Sequence, residues 1–164
     1  MGEDEFTAFY AANKDRCLRA AMAYGMGAEA AEDAVAEAFS RAWARWRQVR
    51  VLQSPSAWVV RTAINADISW WRRRRREAPH ADGQADVPAR GQETQIEVET
   101  DLLAAIRGLP PRQREVVVLR YLLDLDTVAT AQSLDIAPGT VTATLHRALK
   151  TLRDQLDCKE RSLP

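Results

Sequence analysis

The sequence predicts an all-α protein made of two small helical domains joined by a flexible acidic linker. Apolar residues recur at helical spacing along most of the chain, and no segment shows the period-two alternation of a half-buried strand. Residues 77–94 contain two prolines, two glycines and no aromatic residue, a composition typical of a linker. We therefore expect domains at residues 1–76 and 95–157, with a short tail at 158–164.

The first domain is expected to contain three helices. Apolar residues share one face of the first helix, which ends at the Gly-Met-Gly sequence of residues 25–27. The second should cover residues 28–47. The third begins at Ser54-Pro55, because serine is a favourable N-cap residue and proline fits the first helical position. It continues into five consecutive arginines at 72–76.

The second domain should resume as helix near Gln95 and end in two helices separated by a break at residues 135–137. Two short helices joined by such a turn are typical of a helix-turn-helix, whose second helix enters the major groove of DNA. A helical hairpin in an ordinary bundle is the alternative. The polar residues on the outer face of the last helix would be Thr140, Thr142, Thr144, His146, Arg147 and Lys150.

The charges are grouped in blocks of alternating sign. Lys plus Arg and Asp plus Glu each total 23, so the formal net charge is zero. The first forty residues are acidic, residues 41–76 are strongly basic, residues 77–101 are acidic and residues 102–153 are mildly basic. Phosphate binding depends on local basic density rather than on the total, so zero net charge does not exclude a nucleic-acid partner.

The third helix carries the strongest indication of nucleic-acid binding. Trp58, Trp70 and Trp71 precede the arginine run. Arginines can neutralise phosphates and aromatic rings can stack on unpaired bases. The alternatives are core packing for the tryptophans and a solvated helix end for the arginines. Five consecutive arginines cover every face of a helix and repel one another without anions nearby, which favours a nucleic-acid contact.

Other functional classes find little support in the sequence. Glu29, Asp33 and Glu37 lie on one helical face, but no histidine accompanies them, so a docking surface for a basic partner is favoured over a metal site. No phosphate-binding glycine loop or nucleophile–base set is present, which argues against an enzyme. The cysteines, Cys17 and Cys158, are far apart; reduced thiols are favoured and a distant disulfide stays open.

Targeting signals are also missing from the sequence. No apolar run approaches the roughly 20 residues that span a bilayer. The N-terminus is acidic and is not followed by the apolar stretch of a secretory signal. These patterns predict a cytoplasmic protein without membrane insertion.

Four segments together resemble a bacterial RNA polymerase sigma factor of the extracytoplasmic-function (ECF) group, within the sigma-70 family. They are the acidic helix at 31–43, the helix from Pro55 to Arg76 with its Ile-Ser-Trp-Trp-Arg-Arg-Arg sequence, the segment 109–121 beginning Leu-Pro-Pro-Arg-Gln-Arg-Glu, and residues 139–153 with Gly-Thr-Val and Arg-Ala-Leu. The resemblance covers nearly the whole chain, and all four segments in this order are highly specific.

The resemblance implies a role for each segment. Residues 1–76 would be sigma region two and residues 95–157 sigma region four. Region two would dock on the clamp helices of the largest polymerase subunit through Asp33, Glu37, Phe39 and Trp43. It would read and open the minus-ten element through Trp58, Arg61, Asn65, Trp70, Trp71, Arg72, Arg73 and Arg74. Region four would sit on the flap of the second-largest subunit and read the minus-thirty-five element with the six polar residues of the last helix.

The implied function is that of a promoter-specificity subunit, which binds core RNA polymerase and directs promoter recognition, DNA opening and initiation. It would have no catalysis, cofactor or metal of its own. Members of this group are commonly held inactive by an anti-sigma factor, so the resemblance also admits such a partner. Two other hypotheses stay open: a helix-turn-helix regulator that binds duplex DNA without polymerase, and an interaction protein that binds polymerase or an anti-sigma factor without activating promoters.

The helix-turn-helix departs from the family pattern. Ala129 replaces the usual Glu, Thr130 an aliphatic residue and Asp135 the usual Gly, and Thr142-Ala143 stands where Lys-Ser is usual. In the second helix, Ala36 replaces the usual Gln. The loss of a basic contact and of part of the usual turn chemistry predicts weaker or unusual reading of the minus-thirty-five element.

Overall fold

The computed structural model describes residues 2–77 and 101–162, and these residues are almost entirely helical. The predicted all-α class is confirmed, since neither described range contains a strand. We call residues 2–77 the N-terminal unit and residues 101–162 the C-terminal unit. The helices in chain order are α1 (Gly2–Tyr24), α2 (Ala28–Ala44), α3 (Trp46–Val49), α4 (Pro55–Glu77), α5 (Asp101–Arg107), α6 (Pro111–Val117), α7 (Thr127–Leu134) and α8 (Pro138–Arg161).

The N-terminal unit is a bundle in which α1, α2 and α4 pack on one another. Gly25 adopts φ +130°, a conformation that side chains rarely allow, and so turns the chain between α1 and α2. The predicted N-cap of α4 is confirmed, because the Ser54 hydroxyl accepts a hydrogen bond from the Ala57 amide at 3.2 Å. These two features fix where α2 and α4 begin.

The second helix ends earlier than expected, at Ala44 rather than near Arg47. A short helix, α3, follows and turns the Trp46 ring inward, where it is 7% exposed. Its ring centroid lies 5.2 Å from that of Phe6 and 5.0 Å from that of Phe9. Burial of this large ring against two other aromatic rings is more favourable than continuing α2 as a polar helix, which explains why α2 ends at Ala44.

The C-terminal unit contains the expected helix-turn-helix, formed by α7 and α8. Asp126 caps α7 by accepting a hydrogen bond from the Ala129 amide at 2.7 Å. A π-helical turn, Val118–Leu122, continues α6. Helix α8 runs to Arg161, past the expected end near Leu156, so most of the predicted tail at 158–164 is helical. Ile106, Leu109, Val117, Ala148 and Leu152 form a small core that belongs to this unit alone.

The two units pack on each other through a continuous buried cluster. It includes Tyr24 and Met26 from the N-terminal unit and Val118, Leu119 and Val141 from the C-terminal unit. The predicted linker at 77–94 lies outside the described residues, except that Glu77 ends α4. The helix expected to resume near Gln95 is described from Asp101, where α5 begins. The larger buried cluster therefore crosses the junction between the two units, beside the separate small core of the C-terminal unit.

Two observations concern the thiols and the membrane. Cys17 is buried and Cys158 is exposed, and both are free. Burial raises the pKa of the Cys17 thiol to about 12. None of the helices in the two described ranges combines the length and apolarity that a bilayer-spanning segment requires.

Candidate nucleic-acid interface and polymerase-facing surface

A concave groove lies between the C-terminal end of α2 and the middle of α4. Its volume is about 680 Å³, within the range of ligand-binding clefts. One face of α4 forms one wall, because residues four and then three positions apart point the same way along a helix. The residues lining the groove are Arg41, Ala44, Arg45, Trp58, Thr62, Asn65, Ala66, Ser69, Trp70 and Arg73.

The groove combines cationic, aromatic and hydrogen-bonding groups. Arg45 and Arg73 are exposed, as is the Asn65 amide. The Trp70 ring is 41% exposed, and the Arg74 guanidinium lies over it at 4.6 Å from the centroid. A cationic channel edged by aromatic rings is the arrangement that binds single-stranded nucleic acid, with arginines on phosphates and rings on bases. This wall of α4 can therefore accept an unpaired strand.

The structure brings together four of the eight residues predicted for minus-ten binding and separates the others. Trp58, Asn65, Trp70 and Arg73 line the groove. The rest of that set, Trp71, Arg72, Arg74 and Arg61, does not line it. Trp71 is half-buried and packs edge-on against Trp70 with centroids 5.3 Å apart, while Arg72 and Arg74 are exposed.

Arg61 is placed differently from the expectation. Arg61 is predicted to bind DNA, but its side chain is half-buried and its guanidinium donates a hydrogen bond to the Ser133 carbonyl at the end of α7. In this conformation Arg61 contacts the C-terminal unit and is not among the residues that line the groove. Contact of Arg61 with DNA stays a prediction, and in this conformation its guanidinium is engaged by the Ser133 carbonyl.

Two arginines that line the groove were not predicted from the sequence to be site residues. Arg41 and Arg45 belong to the basic block that begins at residue 41, and their spacing of four places them on one face of α2. That spacing was an available signal, but nothing in the sequence said that the face would oppose α4. Arg41 also pairs with Glu37 at 2.9 Å, an exposed contact that contributes little stability.

The predicted polymerase-docking residues lie on α2, with one exception. Asp33 and Glu37 are exposed, and Trp43 is 48% exposed although its ring touches that of Phe6 at 5.0 Å. Phe39 is 3% exposed, so its expected direct contact with polymerase is wrong. It lies on the inner face of α2, where its ring packs against Phe9. The acidic outer face with an exposed indole remains available to a partner.

The second helix of the helix-turn-helix, α8, is rotated slightly about its axis, so its inward face differs from the one predicted from the sequence. Val141, Thr144, Ala148 and Leu152 face inward, at intervals of three and four residues. Thr144 is 6% exposed, so its expected place on the outer face is wrong, while Leu149 is 37% exposed. The five other predicted polar residues of this helix are exposed: Thr140, Thr142, His146, Arg147 and Lys150.

The unusual residues of the helix-turn-helix keep its geometry. Asp135 adopts the left-handed conformation at the end of α7, with φ 53° and ψ 49°, which aspartate tolerates better than most residues. The fully buried Thr130 hydroxyl donates a hydrogen bond to the Asp126 carbonyl at 2.8 Å, so the hydrogen-bonding capacity of this buried hydroxyl is satisfied. The expected loss of turn chemistry is therefore wrong for the backbone. The exchange of Lys-Ser for Thr142-Ala143 still leaves this part of α8 without a positive charge.

Comparison with known proteins assigns both units to sigma families. The Sigma-70 region 2 family matches residues 9–77, and the Sigma-70, region 4 family matches residues 99–152. The chain is 32% identical over 161 residues to the RNA polymerase sigma-E factor of Streptomyces coelicolor, covering 98% of this chain and 91% of that protein. It is 29% identical over 145 residues to the ECF RNA polymerase sigma factor SigW of Bacillus subtilis, covering 77% and 75%.

Solved structures show the same fold. The sigma factor RpoE of Bartonella quintana, in complex with the anti-sigma factor NepR, superposes with a TM-score of 0.73 at 22% identity, covering 93% of this chain and 97% of that one. CnrH, in complex with the cytosolic domain of CnrY, gives a TM-score of 0.64 at 20% identity, covering 95% and 90%. The chain belongs to the sigma-70 family of bacterial RNA polymerase sigma factors, in its extracytoplasmic-function (ECF) group.

Proposed function

We propose that this promoter-specificity subunit of RNA polymerase holds the unpaired non-template strand of the minus-ten element in the groove between α2 and α4. Sigma factors select promoters for the core enzyme, and this chain is one of them. The observation that supports the site is the juxtaposition of Arg45 and Arg73 with the rings of Trp58 and Trp70 around one groove. Residues 1–76 would supply core binding and minus-ten opening, and residues 95–157 minus-thirty-five reading.

The proposed chemistry follows from what melting a promoter requires. A base taken out of the stack costs a few kcal/mol, which must be recovered by stacking and by a fitted pocket. Trp58 and Trp70 offer rings for stacking, and the Asn65 amide both donates and accepts hydrogen bonds at base edges. Arg45 and Arg73 are placed to hold the flanking phosphates. The arginines at 72 and 74–76 extend the positive surface beyond the groove.

We propose that the exposed acidic face of α2 docks on core polymerase. Asp33, Glu37 and Trp43 are accessible there, and an acidic face fits the basic clamp helices of the largest subunit. The C-terminal unit would sit on the flap of the second-largest subunit. The polymerase would perform the chemistry, with this chain contributing no catalysis, cofactor or metal of its own.

We further propose that the exposed polar residues of α8 read the minus-thirty-five element weakly. Arg147 and Lys150 are cationic, but the preceding turn of this helix carries only threonines and alanine outward. Each phosphate contact that is missing reduces the salt dependence of duplex binding by about one unit of slope. The protein would act in the cytoplasm, and an anti-sigma factor is a candidate partner, as it is for the RpoE relative.

The test separates DNA opening from polymerase binding. Trp58→Ala and Asn65→Ala should reduce permanganate-reactive open complex while core binding in a pull-down stays at the wild-type level. Arg47→Ala is the matched control, because Arg47 is exposed on α3 and lies outside the groove. An equal fall in opening and in core binding would show that these residues are merely structural. Duplex binding without core would favour a simple regulator, and core binding without an open complex would favour an interaction protein.

A further inference from the structure

The last two turns of α4 extend past the part of the helix that the bundle buries. The buried residues of α4 end at Ile64, and among the described residues Ile68 is the last apolar residue of this helix that packs against the core. From Ser69 onward every side chain is exposed except that of Trp71, which is half-buried. The core of the bundle therefore does not hold the side chains of residues 69–77, whose order depends on other contacts.

Trp70 is the ring of this segment that belongs to the groove. It lines the groove and is 41% exposed. An exposed indole on a helix can rotate about two side-chain bonds, and a base that stacks on it must immobilise it. A ring that is already held in the stacking position avoids this entropic cost. Any contact that restrains Trp70 therefore favours binding in the groove.

Two neighbouring side chains contact the Trp70 ring. The Arg74 guanidinium lies over it, with its carbon atom 4.6 Å from the ring centroid. The spacing of four residues allows this contact, because helical side chains point toward the N-terminus and so bring Arg74 onto the preceding turn. The Trp71 ring meets Trp70 edge-on, with centroids 5.3 Å apart and an interplanar angle of 86°. Adjacent residues of a helix do not normally face each other, so this contact requires the two rings to converge.

Arg74 touches the ring without entering the groove. Arg73 lines the groove, whereas Arg74 is not among the residues that do. The Arg74 guanidinium therefore contacts the indole from outside the groove and does not occupy the space where a strand would bind. A guanidinium stacked on an indole is a cation–π contact, which is favourable even at an exposed site. The Arg74 charge thus lies against the ring, and the Arg73 charge lies at the groove.

We propose that Arg74 is a positioning residue of the minus-ten site, which holds the Trp70 indole in place for stacking on an unpaired base and makes no phosphate contact of its own. Trp71 supports the same ring with its edge. This inference rests on the proposed function, because it concerns the same groove. It gives Arg74 a role different from that of Arg73 and from the direct DNA contact predicted from the sequence. Loss of an exposed cation–π contact should weaken strand binding about two- to fivefold.

The experiment measures binding of holoenzyme to a promoter whose minus-ten element is unpaired in advance by mismatches. The promoter is one that the wild-type chain selects from a library. This template removes the cost of melting and reports how the single strand is held. Arg74→Ala is compared with Arg75→Ala, which removes an equal charge from the same exposed helix end, and with Arg73→Ala, which removes an arginine of the groove. Capture of core polymerase and helical circular dichroism establish that each variant folds and reaches the enzyme.

Salt dependence separates positioning from phosphate binding. A phosphate contact to a single strand contributes about 0.7 to the slope of log affinity against log salt. Relative to Arg75→Ala, Arg73→Ala should lower the slope by about that amount, whereas Arg74→Ala should weaken binding two- to fivefold at an unchanged slope. Arg74→Lys keeps the charge but loses the planar guanidinium that stacks, so it should weaken binding as well. A slope as low as that of Arg73→Ala, or wild-type binding by Arg74→Lys, would identify a phosphate contact and overturn the proposal.

A double-mutant cycle with Trp70 tests whether Arg74 acts through that ring. In a Trp70→Ala background, Arg74→Ala should cause no further loss of binding, since the ring that it holds is gone. An equal loss in both backgrounds would overturn the proposal, because Arg74 would then act independently of the indole. A different result would count against the proposed function itself: if Trp70→Ala alone left binding to the unpaired element unchanged, the strand would not stack in this groove.

Discussion

Removal of two groove arginines gives the most quantitative prediction for the minus-ten site. Arg41 is already engaged by Glu37, so Arg45 and Arg73 are the better choices for phosphate contacts in the groove between α2 and α4. Each contact to a single strand contributes about 0.7 to the slope of log affinity against log salt. Arg45→Ala/Arg73→Ala should therefore lower the slope by about 1.4, which corresponds to about a sevenfold difference across a fourfold change in salt.

The assay is a salt titration of the open complex. Holoenzyme reconstituted from core and this chain is bound to a fluorescent promoter selected from a library by the wild-type protein, between about 50 and 200 mM salt. Arg47→Ala serves as the control, since it removes an equal charge outside the groove. Equal slopes for wild type and the double variant would refute the placement of the strand. If the slope for Arg47→Ala fell as much as the slope for the double variant, the effect would be one of general electrostatics rather than of contacts in the groove.

Three further predictions concern docking, stability and thiol chemistry. Asp33→Arg should weaken capture of core polymerase in a pull-down, because it reverses the charge of the acidic face of α2. Asp126→Ala should lower the free energy of unfolding by about 1 kcal/mol in a denaturant titration, since it removes the N-cap of α7. In the native protein at pH 8, an alkylating reagent should modify Cys158 and spare Cys17, whose thiol stays protonated and buried; peptide mass spectrometry reports both sites.

Each of these has an outcome that would contradict it. Asp15→Arg is the control for docking, because Asp15 is exposed on α1, and equal losses in both variants would remove the specific role of α2. Asp154→Ala removes a carboxylate from α8 without touching a cap, and it should leave the unfolding midpoint unchanged if the capping argument holds. Rapid modification of Cys17 without denaturant would mean that α1 does not pack on α4 as described.

Sequence reasoning succeeded where local chemistry decides the structure. Ser54-Pro55, the glycines around residue 26 and the apolar periodicity were enough to place the helix starts and the all-α class. Trp58, Asn65 and Trp70 line one groove because their spacing places them on one face of α4. Predictions from sequence fail where two segments pack against each other. Arg41 and Arg45 face α4 because of the angle at which α2 crosses it, and the periodicity of a sequence does not determine that angle.

Burial explains the remaining differences. Thr144 was expected on the outer face of the last helix and Phe39 in contact with polymerase, yet both side chains are buried. The phase of a helix is set by all of its apolar positions together rather than by the polarity of one residue. Arg61 was expected on DNA, but a hydrogen bond to a residue 72 positions away holds it at the interface between the units. Contacts between distant parts of a chain of this kind become visible only in three dimensions.

Promoter-directed initiation with purified components tests whether this chain acts as a promoter-specificity subunit. Core polymerase is incubated with this chain and a library of random promoter sequences, and the transcripts are mapped to their start sites. We expect discrete starts that require the chain, with enrichment of a defined minus-ten sequence and a weaker or unusual minus-thirty-five sequence. Starts that match those of core polymerase alone, in the presence of a folded chain that binds core, would contradict it.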